Sequence, residues 1–274
     1  NAATMGDKLL GIIKGLSQFE HTVTYYGPMG TNDLLNLINQ EHKTAESLAK
    51  VYEIRVPALI ETNENECFIL PYNGTQSFVM SQFACDGKPW SEDKIGVTNM
   101  YNNYFGAGMN TVVFQEMREK RSLCYGAGAK YIMPAYKDQS CIFITTIQSQ
   151  NDKLKECIDV FDDIINNMPA SQTSFDVAKK GVLTQLSTER VKRTEYFDTY
   201  FDAKDLGIDY DKRQKTYEQL QSITLQDIID FQQQNVKGLH YRSVFAGDPN
   251  GLSNEELQRL GNVKTLTAHE VFGY

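Results

Sequence analysis

A segment with two closely spaced glycines, residues 104–125, constrains the fold of this chain more than any other stretch. Gly106 and Gly108 permit a backbone with positive φ or a close approach to another segment. Asn110 or Thr111 can then cap a helix. The buried side of that helix is expected to be formed by Val112, Val113, Phe114 and Met117. After the helix, Leu123, Tyr125 and Ala127 occupy every second position, the spacing that is typical of one face of a strand. The segment therefore predicts a tight turn, a short helix and the start of a strand.

Hydrophobic periodicity predicts helices and strands along the rest of the chain. Strands are predicted at residues 21–26, 51–56, 67–70, 76–83, 123–133, 141–148 and 240–246. Helices are predicted at residues 8–19, from Thr31 or Asn32 onward, and at 93–104, 152–168, 174–191, 194–206, 211–221, 225–234 and 254–260. The pattern predicts an α+β fold with a mainly antiparallel sheet backed by helices, and a helical segment between about residues 152 and 235.

One combination of strand, glycine turn and leucine-bearing helix occurs twice. Residues 21–26 precede Gly27-Pro28, and residues 240–246 precede Gly247-Asp-Pro249. The simplest interpretation is that residues 1–50 are the tail of a preceding repeat domain plus a linker, polar and helical from about 43 to 50, and that residues 51–274 form the next copy. Because this combination is common in α/β chains, the repeat alone leaves both interpretations open.

Composition excludes several classes of protein. A formal net charge of -8 and a pI of about 5.1 argue against a nucleic-acid groove, because no strong basic patch compensates. No apolar run approaches the roughly 18 residues that a membrane span needs, and no signal peptide is visible. The chain begins at Asn1 and ends in Phe272-Gly-Tyr274, so we expect a piece of a longer protein that retains its own C-terminus. The compartment is not determined, and a bacterial periplasmic or secreted parent is compatible with the sequence.

Three strings within residues 104–125 carry a resemblance to a known family. They are Tyr104-Phe-Gly-Ala-Gly-Met109, Phe114-Gln-Glu-Met-Arg-Glu119 and Leu123-Cys-Tyr125. In this order and spacing they resemble the signature of the C-terminal half of pitrilysin-like metallopeptidases, which include pitrilysin, insulin-degrading enzyme and the mitochondrial processing peptidase. The resemblance implies the α+β fold of that family, whose members are rows of related domains with two in each half of a clam-shell.

The zinc site of that family is not found in this sequence. The family binds zinc through His-x-x-Glu-His, in which two histidines hold the metal and the glutamate acts as general base. Here Glu41-His42 is the nearest match, but Ile38 stands where the first histidine would be. The other histidines are His21, His240 and His269, and none stands in a recognisable nucleophile context. The five cysteines show no Cys-x-x-Cys spacing, which argues against a zinc ribbon or a redox pair. We expect no metal in this chain, and the resemblance implies zinc in a missing N-terminal half or a partner.

The resemblance assigns catalytic contacts to Arg118 and Tyr125, seven residues apart. A guanidinium stays protonated near neutral pH and offers fixed donors to peptide carbonyls, and a phenol can donate to a carbonyl as it becomes an oxyanion. The alternative is that Arg118 pairs with a neighbouring glutamate and Tyr125 only packs. Gly106, Gly108 and Met109 are candidate substrate-binding residues that line the cavity, or else they allow helix and sheet to pack closely.

These observations predict the C-terminal, non-zinc-binding part of a pitrilysin-like zinc endopeptidase. It would close a chamber over unfolded peptides and would be inactive by itself. Its partners would be an N-terminal catalytic half or partner subunit and peptide substrates, with no nucleic acid and no membrane span. One alternative is a non-catalytic scaffold or partner subunit of the same fold. Another is a peptide-binding module without chemistry.

Overall fold

The computed structural model describes residues 2–51, 56, 58–72, 77–106, 108–248, 250 and 252–273. The chain divides into two compact units, Asn1–Pro57 with Lys192–Phe197, and Ala58–Val191 with Asp198–Tyr274. The predicted strand at 51–56 falls largely outside the described residues. None of the described helices is both long enough and apolar enough to cross a membrane.

Among its described residues, the first unit contains two α-helices within residues 2–51 and almost no sheet. Helix α1 spans Ala2–Gly15 and helix α2 spans Thr31–Glu41. The strand predicted at 21–26 is wrong, because among the described residues only an isolated bridge between Phe19 and Ala49 forms here. Without a neighbouring sheet, apolar side chains such as Val23 and Tyr26 stay more than half exposed. The helical linker predicted near 43–50 is also wrong, since this segment is irregular apart from that bridge.

The second unit contains a six-stranded sheet in the order β3-β4-β2-β5-β1-β6. Its strands are β1 Glu66–Pro71, β2 Ser77–Ala84, β3 Gly126–Ile132, β4 Ile142–Gln150, β5 Arg242–Gly247 and β6 Asn262–Thr265. Strands β3, β4, β2 and β5 pair antiparallel, whereas β1 lies parallel to both β5 and β6. The α+β prediction is confirmed, with the refinement that the sheet is mixed.

The other helices of the described residues confirm the predicted helical segment. They are α3 Ile95–Phe105, α4 Val112–Phe114, α5 Leu154–Asn166, α6 Gln172–Thr188, α7 Tyr196–Asp205, α8 Lys212–Ser222, α9 Leu225–Asn235, α10 Asn254–Arg259 and α11 Ala268–Phe272. The sequence pattern did not predict β6 or α11. All four residues of β6 are exposed, so this edge strand lacks the alternation by which strands are recognised.

Helix α3 packs against the sheet through a group of large buried aromatic side chains. The ring of Phe105 lies 6.4 Å from that of Phe143 in β4, and the ring of Tyr101 lies 4.8 Å from that of Phe231 in α9. All four side chains are less than 5 % exposed. Burial of such rings contributes strongly to core stability. This packing fixes the end of α3, and therefore the glycine turn that follows it, against strand β3.

Candidate functional site

Gly106 allows the end of α3 to lie directly on β3. It is buried, and a Cβ atom at this position would lie 2.2 Å from the carbonyl oxygen of Ala129. The backbone N–H of Ala129 donates to the carbonyl oxygen of Gly106 at 3.3 Å. No other residue type fits so close an approach without backbone movement. The geometry therefore favours the packing interpretation for Gly106.

Gly108 and Met109 lie on the outside of the same turn. Gly108 has a φ of +137°, which favours glycine, and its surroundings are open. The Thr111 hydroxyl donates to the carbonyl oxygen of Gly108 at 2.7 Å, and the Gln115 side-chain amide donates to that of Met109 at 2.8 Å. Thr111 holds the predicted N-cap position, although its hydroxyl bonds to the turn and not to the helix. These two hydrogen bonds connect the turn to the start of the following helix, and the side chain of Met109 is 71% exposed.

A wide helical turn reverses the chain between this helix and β3. Helix α4 continues as a π-helical turn over Gln115–Glu119, in which the N–H of Lys120 donates to the carbonyl oxygen of Gln115 at 2.9 Å. Ser122 follows with a φ of 51°, unusual for a residue with a side chain. The N–H of Leu123 then donates to the carbonyl oxygen of Met117 at 2.9 Å, which closes the turn. π-Helical turns of this kind occur frequently at functional sites.

Arg118 and Tyr125 lie together on an exposed surface. The guanidinium carbon of Arg118 lies 5.6 Å from the centre of the Tyr125 ring and 5.1 Å from that of Phe114. Tyr125 is 76% exposed, and its backbone N–H donates to the carbonyl oxygen of Gln148 in β4 at 2.9 Å. An exposed cation–π contact of this kind is worth about 0.5–1 kcal/mol. The structure therefore brings the two predicted site residues together and leaves the Tyr125 side chain accessible.

The carboxylate next to this pair is already bound by other cations. Glu116 accepts from Lys120 and Arg121, both at 2.5 Å, and its side chain is only 9% exposed. Burial alone would raise the pKa of Glu116, but its hydrogen bonds and charge interactions with Lys120 and Arg121 together hold that pKa below its ordinary value. Within the described part of the chain, no carboxylate forms an ion pair with Arg118. The expected alternative, Arg118 pairing with a neighbouring glutamate, is not what the structure shows.

A pocket of about 540 Å³ opens beside the Tyr125 ring. Its walls come from three segments, Ser122–Tyr125, Gln148–Gln150 and Lys153. The ammonium of Lys153 donates to the carbonyl oxygen of Ser122 at 2.6 Å. Sequence reasoning did not identify Gln148, Gln150 or Lys153. The one available signal was the placement of polar Gln148 and Gln150 at alternate positions of β4, where both are exposed.

The outer edge of β3 near this surface is covered by α3. The side-chain amide of Asn102 accepts from the backbone N–H of Tyr131 and donates to the Tyr131 carbonyl oxygen, both at 2.8 Å. The N–H of Ala129 is bound to Gly106, as described above. An uncovered strand edge is a template for pairing with another chain. Addition of a peptide strand to β3 is therefore blocked at Ala129 and Tyr131.

The described residues do not fit a zinc ion. Among them no three histidine, cysteine, aspartate or glutamate side chains converge as metal ligands. The Nε2 atoms of His21 and His42 face each other at 2.6 Å, and Nδ1 of His21 lies 2.6 Å from the carbonyl oxygen of Phe19. Structural zinc sites use four protein ligands and catalytic sites use three.

Comparison with known proteins gives a family match over much of the chain. A family model described as the peptidase M16 inactive domain matches residues 18–182, which is more than half of the sequence. A comparison with curated protein sequences gave no match.

Several solved structures share this fold at low sequence identity. The peptidase M16 inactive domain from Pseudomonas fluorescens superposes with a TM-score of 0.61 at 17% identity, covering 80% of this chain and 52% of that one. Pitrilysin gives a TM-score of 0.52 at 14% identity, covering 88% of this chain and 25% of its own. The ferredoxin protease FusC, in complex with Arabidopsis ferredoxin, gives 0.61 at 10% identity, covering 80% and 24%. The chain spans about half or less of the length of these structures, and the likeness shows the fold.

Proposed function

The chain belongs to the family of the peptidase M16 inactive domain, and on that premise we propose that it is the C-terminal, non-zinc-binding part of a pitrilysin-like zinc endopeptidase. It closes a peptide chamber whose zinc ion is held by an N-terminal catalytic half or a partner subunit. In this proposal residues 1–50 are the tail of a preceding repeat domain plus a linker, and residues 51–274 form the C-terminal domain.

One observation carries the proposal: Arg118 and Tyr125 lie side by side on an exposed surface at the end of a helix and the start of a strand. Arg118 has no carboxylate partner among the described residues, because Glu116 is occupied by Lys120 and Arg121. A solvent-facing cation and phenol that have no ion-pair or hydrogen-bond partner for their side chains among the described residues can serve a bound molecule. A purely structural role would not need both groups to be free of such partners.

The chemistry proposed for the pair is hydrogen bonding to a peptide. The Tyr125 hydroxyl donates to the carbonyl oxygen of the bond to be cleaved, which becomes more negative as the reaction proceeds. The Arg118 guanidinium donates to other carbonyl oxygens of the same extended peptide and keeps it in place. The zinc ion, when bound by the other part of the protein, supplies an activated water. This chain contributes positioning and charge stabilisation only.

The test uses the full-length protein and a peptide substrate. We expect Tyr125→Phe to lower kcat by about 10²–10³, the usual cost of removing one oxyanion donor, with little change in KM. Arg118→Lys keeps the charge but loses the planar fork of donors, and we expect mainly a higher KM. Tyr200→Phe is the matched control, because Tyr200 is also an exposed tyrosine, at 60%. An unchanged kcat in the Tyr125 variant would show that this side chain does not act on the reaction.

The chain by itself should show no peptidase activity and no stoichiometric zinc. This expectation follows from the absence of a ligand set among the described residues. Elemental analysis of the purified chain after dialysis would measure it. A tightly bound zinc ion with histidine ligands would contradict the proposal.

The second candidate is a non-catalytic scaffold or partner subunit of the same fold. It is favoured by the description of the matching family as an inactive domain. The sequence that precedes this chain in its parent protein distinguishes the two, because an intact His-x-x-Glu-His there supports the peptidase. Its absence from both the parent and any partner subunit would favour the scaffold.

A further inference from the structure

We propose that the pocket beside Tyr125 binds a carboxylate group of a peptide through Lys153. This inference rests on the proposed peptide-binding role of the Arg118 and Tyr125 surface, and it specifies a chemical preference at that surface. The carboxylate can belong to an acidic side chain or to the C-terminus of the peptide. Both sources present the same chemistry to the pocket.

The charge of the pocket is the first support. Lys153 is the only charged residue among the eight that line the pocket, and none of the eight is acidic. The pocket is therefore locally positive, although the protein as a whole has a formal net charge of -8. Its sequence neighbour Asp152 is exposed but does not line the pocket.

Arg118 adds positive charge next to one wall of the pocket. Its guanidinium lies over the ring of Tyr125, which forms one wall. Burial, the largest influence, and the Cys157 thiol raise the pKa of Cys124 to about 11, against the opposing charges of Arg118 and Lys153. Both cations therefore act on the same wall residue, while the Cys124 thiol stays neutral near pH 7.

Several polar groups around the pocket can donate hydrogen bonds to a ligand. The Lys153 ammonium has three N–H bonds, of which one is directed at the Ser122 carbonyl oxygen, so two remain for a ligand. The Tyr125 hydroxyl and the exposed amides of Gln148 and Gln150 supply further donors. The hydroxyl of Ser149 is committed to the carbonyl oxygen of Leu123. A carboxylate can accept hydrogen bonds from these donors, whereas a basic side chain would be repelled by the positive charge of Lys153.

The size and position of the pocket suit part of an extended peptide. A volume of about 540 Å³ lies within the range of about 300–1,000 Å³ that is typical of small-molecule sites. Tyr125 belongs both to the proposed site and to the pocket wall, so one peptide can reach both. The pocket then favours peptides with a carboxylate close to the bond to be cleaved.

Fluorescence anisotropy of labelled peptides added to the 274-residue chain tests this directly. One pair of peptides differs by an internal glutamate or glutamine, and a second pair ends in a free or an amidated C-terminus. We expect the carboxylate form of at least one pair to bind about five- to tenfold more tightly at low salt, which identifies the source of the carboxylate. The preference should decrease at high salt. Equal affinities within both pairs, or no measurable binding of any carboxylate peptide, would overturn the inference.

Variants assign the preference to one ammonium. Lys153→Gln should abolish the preference, and Lys153→Arg should retain most of it. Lys130→Gln is the matched control, because it removes an exposed cation of β3 that does not line the pocket. A preference that survives in Lys153→Gln, or that is lost equally in Lys130→Gln, would refute the role of Lys153. Circular dichroism of each variant confirms that the fold is retained, and Lys153→Ala, which also removes the charge and should also abolish the preference, replaces the glutamine variant if that one does not fold.

Failure of this inference differs from failure of the proposed function. The carboxylate preference is a binding measurement that requires no zinc and no turnover. The proposed function is tested by the effect of Tyr125→Phe on kcat in the full-length protein. A Lys153-dependent preference with an unchanged kcat in Tyr125→Phe would leave a peptide-binding surface and reject the catalytic role.

Discussion

Replacing Asp162 by asparagine should stabilise this protein at neutral pH and have much less effect near pH 4. Asp162 lies in α5, against a small pocket whose apolar lining includes Ile158, Leu252 and Leu260. Burial raises its pKa from the ordinary 3.8 to about 6, with the charge of Arg259 opposing the change and that of Asp159 adding to it. Above pH 6 the native protein therefore holds a carboxylate where a neutral group would be more stable.

The sign and size of the effect follow from proton linkage. Between pH 3.8 and about 6 the folded state keeps a proton on Asp162 that the unfolded state has lost. The free energy of unfolding therefore falls as pH rises through this window, and above it the full penalty is present. At about 1.36 kcal/mol for each pKa unit, the full penalty is about 3 kcal/mol.

Urea unfolding of the wild type and Asp162→Asn at pH 4 and pH 7.5 measures this penalty. Asparagine has nearly the same shape but cannot ionise, so the gain in unfolding free energy should be about 2.5 kcal/mol larger at pH 7.5 than at pH 4. Asp163→Asn is the control, since Asp163 is exposed and should give a small effect, within about 0.5 kcal/mol, at both pH values. An equal gain at the two pH values, or a loss at pH 7.5, would refute the reasoning.

Three further substitutions test the structure around the site, each by urea unfolding. Gly106→Ala should destabilise the protein by about 2–3 kcal/mol, because the new methyl group would lie 2.2 Å from the Ala129 carbonyl oxygen; wild-type stability would show that α3 does not approach β3 so closely. Asn102→Ala should cost about 2–3 kcal/mol, since it removes both hydrogen bonds to the buried Tyr131 backbone, whereas Asn103→Ala should cost less than about 1 kcal/mol. Equal costs for these two variants would reject the edge-covering role of Asn102. Ser122→Gly should stabilise by about 0.5–1 kcal/mol, because glycine adopts the observed φ of 51° without strain; a loss of stability would mean that the serine side chain has a partner of its own.

Local sequence pattern predicted most of the second unit because its helices and strands bury one periodic face. Helix α5 illustrates this, with Ile158, Phe161 and Ile165 buried on one side. The same reasoning failed at residues 21–26, where alternation is present but no strand lies alongside. A strand is stabilised by pairing with a neighbour, which local alternation does not reveal. Parallel pairing of β1 with β5 was likewise not visible, since it joins segments about 175 residues apart.

In the candidate site, too, some features could be predicted from local sequence and others depended on contacts between distant segments. Its three-string pattern along residues 104–125 was enough to identify the family and to select Arg118 and Tyr125. Their adjacency required the π-helical turn and the left-handed Ser122, which place a helix end and a strand start on one surface. The pocket residues Gln148 and Lys153 were missed because they belong to segments that reach Tyr125 only through the antiparallel pairing of β3 with β4.

The sequence by itself determined the family, the fold class, the order of most helices and strands, and the identity of two candidate site residues. These properties depend on residue type and on spacings within a few turns of helix or a few residues of strand. Only the tertiary structure decided that Glu116 pairs with Lys120 and Arg121 and not with Arg118. It also decided how the outer edge of β3 is covered and that a pocket containing Lys153 adjoins Tyr125. Each of these depends on distances between segments far apart in the chain, and only the packing of α3, β3 and β4 establishes those distances.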